Sequence, residues 1–497
     1  MFTRFSPTIR QLVSESNPNS HQVSVSGWIK SIRRQKNVSF AVITDGSSAT
    51  GLQAVFAGAG KDSAEVKKLS NGSAVRLTGR LVASPGAGQA KELVIELGQA
   101  SLAPGRVELL HECPHQTYPI QKQTLSNEYL RDHAHLRART DKIASMIRLR
   151  SVLHKNIHGW FENQGFYHVN TPILTENDAE GAGEAFRLAP VQCEHPAAPQ
   201  HASPAPLTDF FSRPAFLTVS HQLHLEALAS ALSRVYTLSP CFRAEPSLTP
   251  RHLAEFWMLE AEWAFSAFDP ASPSRDTREL CQAVEAMLRS VVGSVISPDR
   301  HEDVSMLWKQ NDDEERLALL EKAVTSESAW TRMSYAEAIK ELQTFHGMSV
   351  QSGSTAKFQY EPAYGKGLQS EHERWLAEQL VRGPVFVTDY PSALKPFYMR
   401  ANPSESTVAC FDLLMPHVGE LVGGSVREDR LDVLTERMEQ AGTGGREYEW
   451  YRDLRRFGGA PHGGFGMGFE RLVMWVGGIE NVREAIPMPR WAGRMLL

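Results

Sequence analysis

Cysteine is scarce in this chain. Its 497 residues hold five, Cys113, Cys193, Cys241, Cys281 and Cys410, scattered and without a CxxC pair. That excludes a disulfide framework and a zinc ribbon, and it points to a reducing compartment. Long apolar runs are missing as well: none nears the roughly 20 residues that a bilayer-spanning helix needs, so no membrane association is expected. Charge of one sign does not dominate. The 52 Lys and Arg stand against 57 Asp and Glu, a net of −5, which excludes a uniformly basic nucleic-acid binder though not a basic patch. There is no GxxxxGK[ST], no completed GxGxxG and no GxSxG. A P-loop, a dinucleotide-binding turn and a nucleophile elbow are therefore excluded. His154 and His158 have the spacing of a helical metal pair, but Lys155 stands where a zinc peptidase carries Glu. They read as surface histidines.

What is present is an ordinary globular composition, 42% hydrophobic and 22% charged, at a length that suits about two to four domains. Residues 1–20 form a possible short targeting segment: up to Ser14 there is no acid, while Arg4 and Arg10 lie among hydroxyls and spaced apolar residues. Residues 21–105 alternate in short strands around a small helical stretch, Ser63 to Leu69. Val23, Val25 and Trp28 begin one strand; Phe40, Val42 and Ile43, then Leu52, Ala54 and Phe56, continue the pattern. Five strands and one helix in this span suit a Greek-key β-barrel of the OB type. Residues 1–115 carry 13 Lys and Arg against 8 Asp and Glu, net +5, so the remainder carries 39 against 49, net −10. The barrel is the basic part of an acidic protein. Residues 106–140 read as a proline-containing linker or hinge. Residues 141–497 mix long helical periodicities with apolar strands and Gly-rich turns, without a regular βαβ rhythm, and are expected to be α+β. Within them, 193–214 and 266–276 read as surface loops or insertions.

Three constellations carry chemistry. In VYTLSPCFRAEPSLTPRHLAEFWMLEAEWAF (235–265), two apolar strands flank a proline-punctuated basic turn. The side-chain period of two places Arg243 and Glu245 on one face, and a polyphosphate would fit between Arg243 and Arg251. Glu260 and Glu262 lie inside the second apolar strand, where charges need partners. In GELVGGSVRE (419–428), Glu420 and Arg427 sit on a Gly-rich strand and turn where a ligand can approach the backbone. In GGFGMGFERLVMWVGG (463–478), glycines precede a helix whose first turn carries Glu470 and Arg471, an arrangement suited to anions.

FRAE (242–245), RHLAEF (251–256) and GFERL (468–472) resemble motifs 2 and 3 of the class II aminoacyl-tRNA synthetases, and GFYHVNTPILT (165–175) resembles motif 1. Together with the N-terminal barrel they resemble the aspartyl/asparaginyl/lysyl branch over about residues 22–497. TVSHQLHLEALA (218–229), YGKGLQSEHERWLAEQL (364–380), VTDYPSALKPFYMR (387–400) and VGELVGGSVREDRLDVL (418–434) are most similar to the asparaginyl enzymes. LSPCFRAE and the ending PRWAGRMLL look more like fungal mitochondrial members.

The resemblance implies an OB-fold anticodon-binding domain followed by a class II catalytic domain, built on an antiparallel sheet flanked by helices. It implies ATP and Mg²⁺ as cofactors, L-asparagine and tRNA(Asn) as partners, and a homodimer formed through motif 1. By position, Arg243, Glu245, Arg251, His252, Leu253, Glu420, Gly468 and Arg471 would surround ATP. Arg243 would touch the α-phosphate, Arg471 the γ-phosphate, and Glu420 the metal. Glu180, Gln222, Glu226 and Arg427 would hold the amino acid, with Glu226 sensing the amide where aspartate-specific relatives place a lysine nearby. Arg33, Arg34, Phe40 and Gln53 would meet the anticodon. Gly423 stands where relatives carry a serine near the metal. The location implied is the mitochondrial matrix, with the cytoplasm as alternative. An aspartate-specific enzyme, a tRNA-independent amide ligase and a noncatalytic RNA-binding module remain open at this point.

Overall fold

A computed structural model of the protein describes residues 5–15, 21–57, 63–86, 88–97, 105–176, 185–189, 209–247, 249–264, 273–297, 299–309, 313–351, 357–403 and 406–497. Glu180, most of the 193–214 segment and much of the 266–276 segment lie outside them. The chain divides into two compact units, residues 1–148 with Leu497, and residues 149–496; the division falls inside the helix Asp141–Asn163.

The first unit is a closed five-stranded barrel with a sixth strand added to it: β1 (His21–Arg34), β2 (Ser39–Thr44), β3 (Leu52–Ala57), β4 (Ala74–Ala83) and β5 (Lys91–Glu96) form the ring, and β6 (Arg106–His111) joins β4. The order is β1-β2-β3-β5-β4-β6, closed by β1–β4 pairing and antiparallel except for β3–β5. β6 lies in the stretch that reads as linker, and it pairs with β4. Alternation drives Val23, Val25, Ile29, Ile43, Leu52, Phe56, Val75 and Leu77 into the core. Trp28, expected beside Val23 and Val25, has the opposite parity and stays 44% exposed, near the Arg139 guanidinium.

The segment that reads as a targeting peptide is partly built into this barrel. Helix Ile9–Ser14 is capped by Thr8, and the backbone N–H groups of Ile9 and Arg10 donate to Asp45 (2.8 Å) and Ser47 (3.0 Å). Ile9 and Leu12 are buried in the barrel core.

The second unit is organised on an eight-stranded sheet. Its strands are β7 (Tyr167–His168), β10 (Arg234–Phe242), β11 (Glu255–Ala264), β12 (Thr331–Ser334), β13 (Val385–Thr388), β14 (Cys410–Met415), β15 (Gly419–Val426) and β16 (His462–Gly468). β8 (Leu174–Thr175) and β9 (Phe216–Leu217) form a separate pair. The order is β12-β13-β14-β15-β16-β11-β10-β7, antiparallel except at the outer β12–β13 and β10–β7 pairs. The hairpin expected around residues 235–265 is the β10–β11 pair. His154 and His158 are half-buried: their rings contact each other at 4.5 Å, and His158 Nδ1 lies 2.6 Å from the Tyr236 hydroxyl. Among the described residues no helix is long and apolar enough to cross a membrane.

The register in the middle of the sheet decides where a ligand can lie. On β16, Gly464, Gly466 and Gly468 share one face; Gly466 pairs with Glu260 on β11 and with Gly423 on β15, and Gly464 with Glu262 and Ser425. Successive alternate glycines strip that face of side chains and leave an open floor. At Gly464 a Cβ would strike the Glu262 carboxylate and the Ala261 carbonyl, so no larger residue fits.

Candidate active site

One cavity of about 690 Å³, counting its open mouth, lies over this floor. Arg243, Glu245, Arg251, His252, Leu253, Glu420, Gly468 and Arg471, three stretches distant in sequence, all line it. β10 ends at Phe242, and the Arg243 backbone N–H donates to Ala254 O across the hairpin (3.0 Å). Glu245 lies 3.8 Å from the Arg243 guanidinium and 3.3 Å from His252 Nε2, so one carboxylate orients both. Arg251 faces Glu373 at 3.8 Å. Arg471 donates to the Glu420 carbonyl.

The two charges at the start of helix Phe469–Gly477 separate. Glu470 is buried and accepts from Arg150 (2.7 Å) and the Trp257 backbone N–H (2.9 Å), which ties this helix to β11. Successive helical residues project in different directions, so Arg471 faces the cavity while Glu470 serves the scaffold.

Three arginines converging on an open glycine floor suit a polyphosphate. The donor set also suits Mg²⁺. Glu420 adjoins Glu373, whose carboxyl is pushed up to about 7 by burial and then by the Glu420 charge, with Arg471 and Arg251 pulling the other way. Two carboxylates held this close are relieved by a hard divalent cation with oxygen preference. Gly423 supplies no side-chain ligand; a Cβ there would lie 3.2 Å from Glu420 Oε1 and 3.6 Å from Asp412 Oδ1.

Further along the same sheet face is a second, closed constellation. Glu226, on helix Gln222–Leu232, and Arg427, just past β15, are each 2% exposed. The Glu226 Oε2 oxygen accepts from the Tyr451 hydroxyl (2.7 Å), Arg455 Nη2 (2.7 Å) and His462 Nε2 (3.0 Å). Among the described residues its Oε1 accepts only from Gln222 Nε2 (3.1 Å), with Arg427 Nε at 3.8 Å. Arg427 donates to Glu262 through Nε (3.2 Å) and Nη2 (2.9 Å), and to Ser425 through Nη1 (2.7 Å).

Burial by itself would raise the Glu226 carboxyl. Arg455, His462 and Arg427 outweigh it and hold the group well below the usual carboxylate range. Glu262 has fewer donors: burial pushes its carboxyl up, Arg427 pulls against that, and the Glu226 charge adds to the rise. Arg427 itself is held charged by Glu262 and Glu226 against the effect of burial.

Gln222, Glu226 and Arg427 thus come together, while Glu180 lies outside the described residues. Sequence reasoning missed Glu262 as a site residue, and with it Tyr451, Arg455, His462 and Glu373. Tyr451 and Arg455 lie four apart on helix Glu449–Arg456, a spacing that marks a shared face but not what that face meets.

In the barrel, Arg33 pairs in register with Phe40, its guanidinium 5.8 Å from the ring. Gln53 pairs with Val42, on the same outward side of β2 as Phe40, and donates to Glu92 (3.2 Å). Arg34 points away from them. Its Nη2 donates to the carbonyls of Val66, Lys67 and Leu69 and caps the helix Ala64–Lys68.

This fold and cavity define a class II synthetase. Residues 126–492 match the family of tRNA synthetases class II (D, K and N), and residues 23–103 match the OB-fold nucleic acid binding domain. The asparagine--tRNA ligase of Pelobacter propionicus is 42% identical over 484 residues, 97% of this chain and 98% of that protein. That of Psychromonas ingrahamii is 42% identical over 489 residues, 98% of each. The asparaginyl-tRNA synthetase of Pyrococcus horikoshii, solved with asparaginyl-adenylate, superposes with a TM-score of 0.79 at 29% identity, covering 99% of this chain and all of that one. The chain belongs to the class II D, K and N synthetases and, within them, to the asparagine--tRNA ligase family.

Proposed function

We infer that this chain activates L-asparagine with ATP and transfers it to tRNA(Asn). The observation that carries the reading is a juxtaposition on one sheet face. The arginine-lined cavity over Gly466 and Gly468 lies one register step along β16 from Gly464, whose partner Glu262 belongs to the buried Glu226–Arg427 cluster.

The asparagine carboxylate attacks the α-phosphorus of ATP in line, and pyrophosphate leaves. A terminal ribose hydroxyl of the tRNA then attacks the carbonyl of the adenylate, the acyl–phosphate bond breaks and AMP leaves. Both steps depend on positioning and on neutralising oxyanion charge. Arg243 holds the α-phosphate and the substrate carboxylate, Arg251 and His252 flank the nucleotide, and Arg471 holds the γ-phosphate. Glu420, with Glu373 beside it, would hold Mg²⁺, which supplies charge neutralisation at the phosphates when bound. Gln222 lines the amino-acid pocket and Glu180 takes the α-ammonium. Glu226 Oε1 accepts the side-chain amide N–H, and Arg427, with two N–H donors left over, gives one to the amide oxygen. Arg33, Phe40 and Gln53 form the anticodon-facing side of the basic barrel.

Two finer readings accompany this. The exposed apolar residues Tyr167, Ile173 and Leu174 of the motif 1 stretch support a homodimer. The acid-free N-terminus supports delivery to the mitochondrial matrix; because Ile9 and Leu12 are core residues, a removable leader would end before Thr8. Import of a reporter fused to residues 1–7 checks this.

The deciding experiment is ATP–pyrophosphate exchange with asparagine and aspartate in parallel, followed by charging of tRNA. Asparagine-dependent exchange is expected, abolished in a folded Arg243→Ala variant. Aspartate dependence, or near-normal exchange in that variant, overturns the reading.

A further inference from the structure

We propose that Arg455 is a positioning residue for side-chain selection: it fixes Glu226 so that Oε1 alone is left to accept the substrate amide. This rests on the asparagine reading above.

The geometry is lopsided in a way that needs a cause. Glu226 Oε2 receives three donors, from Tyr451, Arg455 and His462, whereas Oε1 receives one from protein. An oxygen has two lone-pair sites, so Oε2 is saturated and Oε1 has one site open. Of the three donors, only Arg455 carries a permanent positive charge; the His462 imidazole also faces Glu226, with its other ring nitrogen 2.7 Å from the Ala460 carbonyl. The Arg455 guanidinium is itself held on two sides: Nε donates to the Glu428 carbonyl at 2.9 Å, and Tyr451, one turn earlier on the same helix, receives from Nη2 at 3.0 Å and places its ring 4.3 Å away. The side chain is 1% exposed, and among the described residues its Nη1 has no hydrogen-bond partner.

Charge counting gives the consequence. The buried carboxylates of Glu226 and Glu262 face two permanent cations, Arg427 and Arg455, and the titratable His462. Without Arg455 the one permanent cation left is Arg427, which hydrogen-bonds Glu262 twice and stands 3.8 Å from Glu226; Glu226, left with His462 and neutral donors, is then the carboxylate that takes up a proton on acidification. A protonated Glu226 presents an O–H as well as acceptors. It no longer requires an N–H from the substrate, and it no longer repels a β-carboxylate.

The test uses full-length Arg455→Met and Arg455→Lys. ATP–pyrophosphate exchange is followed against asparagine, aspartate and ATP from pH 5.5 to 8.5, with thermal unfolding as a control. For Arg455→Met the KM for asparagine should rise by more than about tenfold while the KM for ATP stays within about twofold. Asparagine use should acquire an acid limb absent from the parent, and aspartate exchange should become measurable. Arg455→Lys, which keeps the charge, should restore much of the asparagine KM and the flat profile. If Arg455→Met does not fold, Tyr451→Phe, which removes a second Oε2 donor, decides: a selective rise in the asparagine KM supports the proposal and an unchanged KM overturns it. A folded Arg455→Met with the parental asparagine KM and pH profile overturns it, as does an equal rise in both KM values. Failure of the parent protein to use asparagine would instead sink the functional reading, so the two failures are distinct.

Discussion

Replacing Glu226 by Gln asks what the pocket recognises. The change keeps size and removes one charge. Three donors converge on Oε2, from Tyr451, Arg455 and His462, so the Gln carbonyl oxygen must take that place. Its NH₂ then occupies the Oε1 position, pointing at Gln222 Nε2 and at the incoming substrate amide, both donors. Asparagine loses a hydrogen bond to a charged group, about 1.5–3 kcal/mol, which is about 10- to 150-fold in kcat/KM. Aspartate moves the other way. Removing carboxylate–carboxylate repulsion at about 4 Å relieves up to about 4 kcal/mol at an effective dielectric of about 20, which bounds its gain near 10³-fold. The assay is ATP–pyrophosphate exchange with both amino acids, with the KM for ATP as internal control. A folded Glu226→Gln that keeps asparagine kcat/KM within twofold, or that gains nothing toward aspartate, refutes Glu226 as the amide acceptor.

Arg33→Ala should weaken tRNA charging, and flatten its salt dependence, while exchange is unchanged; Arg34→Ala should instead lower barrel stability, because Arg34 caps helix Ala64–Lys68. Equal behaviour of the two variants in charging and in unfolding would contradict this division. Leu12→Ala should destabilise the barrel by about 2–5 kcal/mol, since Leu12 is buried in its core; an unaffected barrel transition would show that helix Ile9–Ser14 is dispensable. His154, His158 and His168 are all held below the ordinary histidine value, by burial first, then for His154 by Arg150 and His168, and for His158 by its two histidine neighbours. Their stabilisation is complete above the ordinary value of 6.5 and is lost as pH falls through it to the lower folded values. The thermal midpoint should therefore drop on acidification, and less so in His158→Asn; an unchanged pH slope in that variant would count against it.

Much of the site is legible because it is local. The alternation of Gly464, Gly466 and Gly468 implies a bare strand face wherever β16 lies, and Arg243 and Arg251 bracket one hairpin whatever that hairpin packs against. The family motifs likewise reside in short contiguous stretches, and all eight residues expected around the nucleotide do line one cavity. Local spacing fails where the partner is remote. Glu470 and Arg471 look equivalent in sequence, yet the packing of Arg150 and Trp257 takes one inward and leaves the other to the cavity. Arg33 and Arg34 look equivalent too, and strand alternation sends Arg34 to a helix end.

The sequence by itself determined the two-part organisation, the barrel, the hairpin and the floor, because period, turn chemistry and glycine placement act between neighbours. Only the tertiary structure decided how the buried charges are shared. Glu226 meets residues 225, 229 and 236 positions further along the chain in Tyr451, Arg455 and His462, and Glu262 claims Arg427 from 165 positions away. A charge removed from water must find its partner wherever the fold brings one. No spacing rule within a single element can name it.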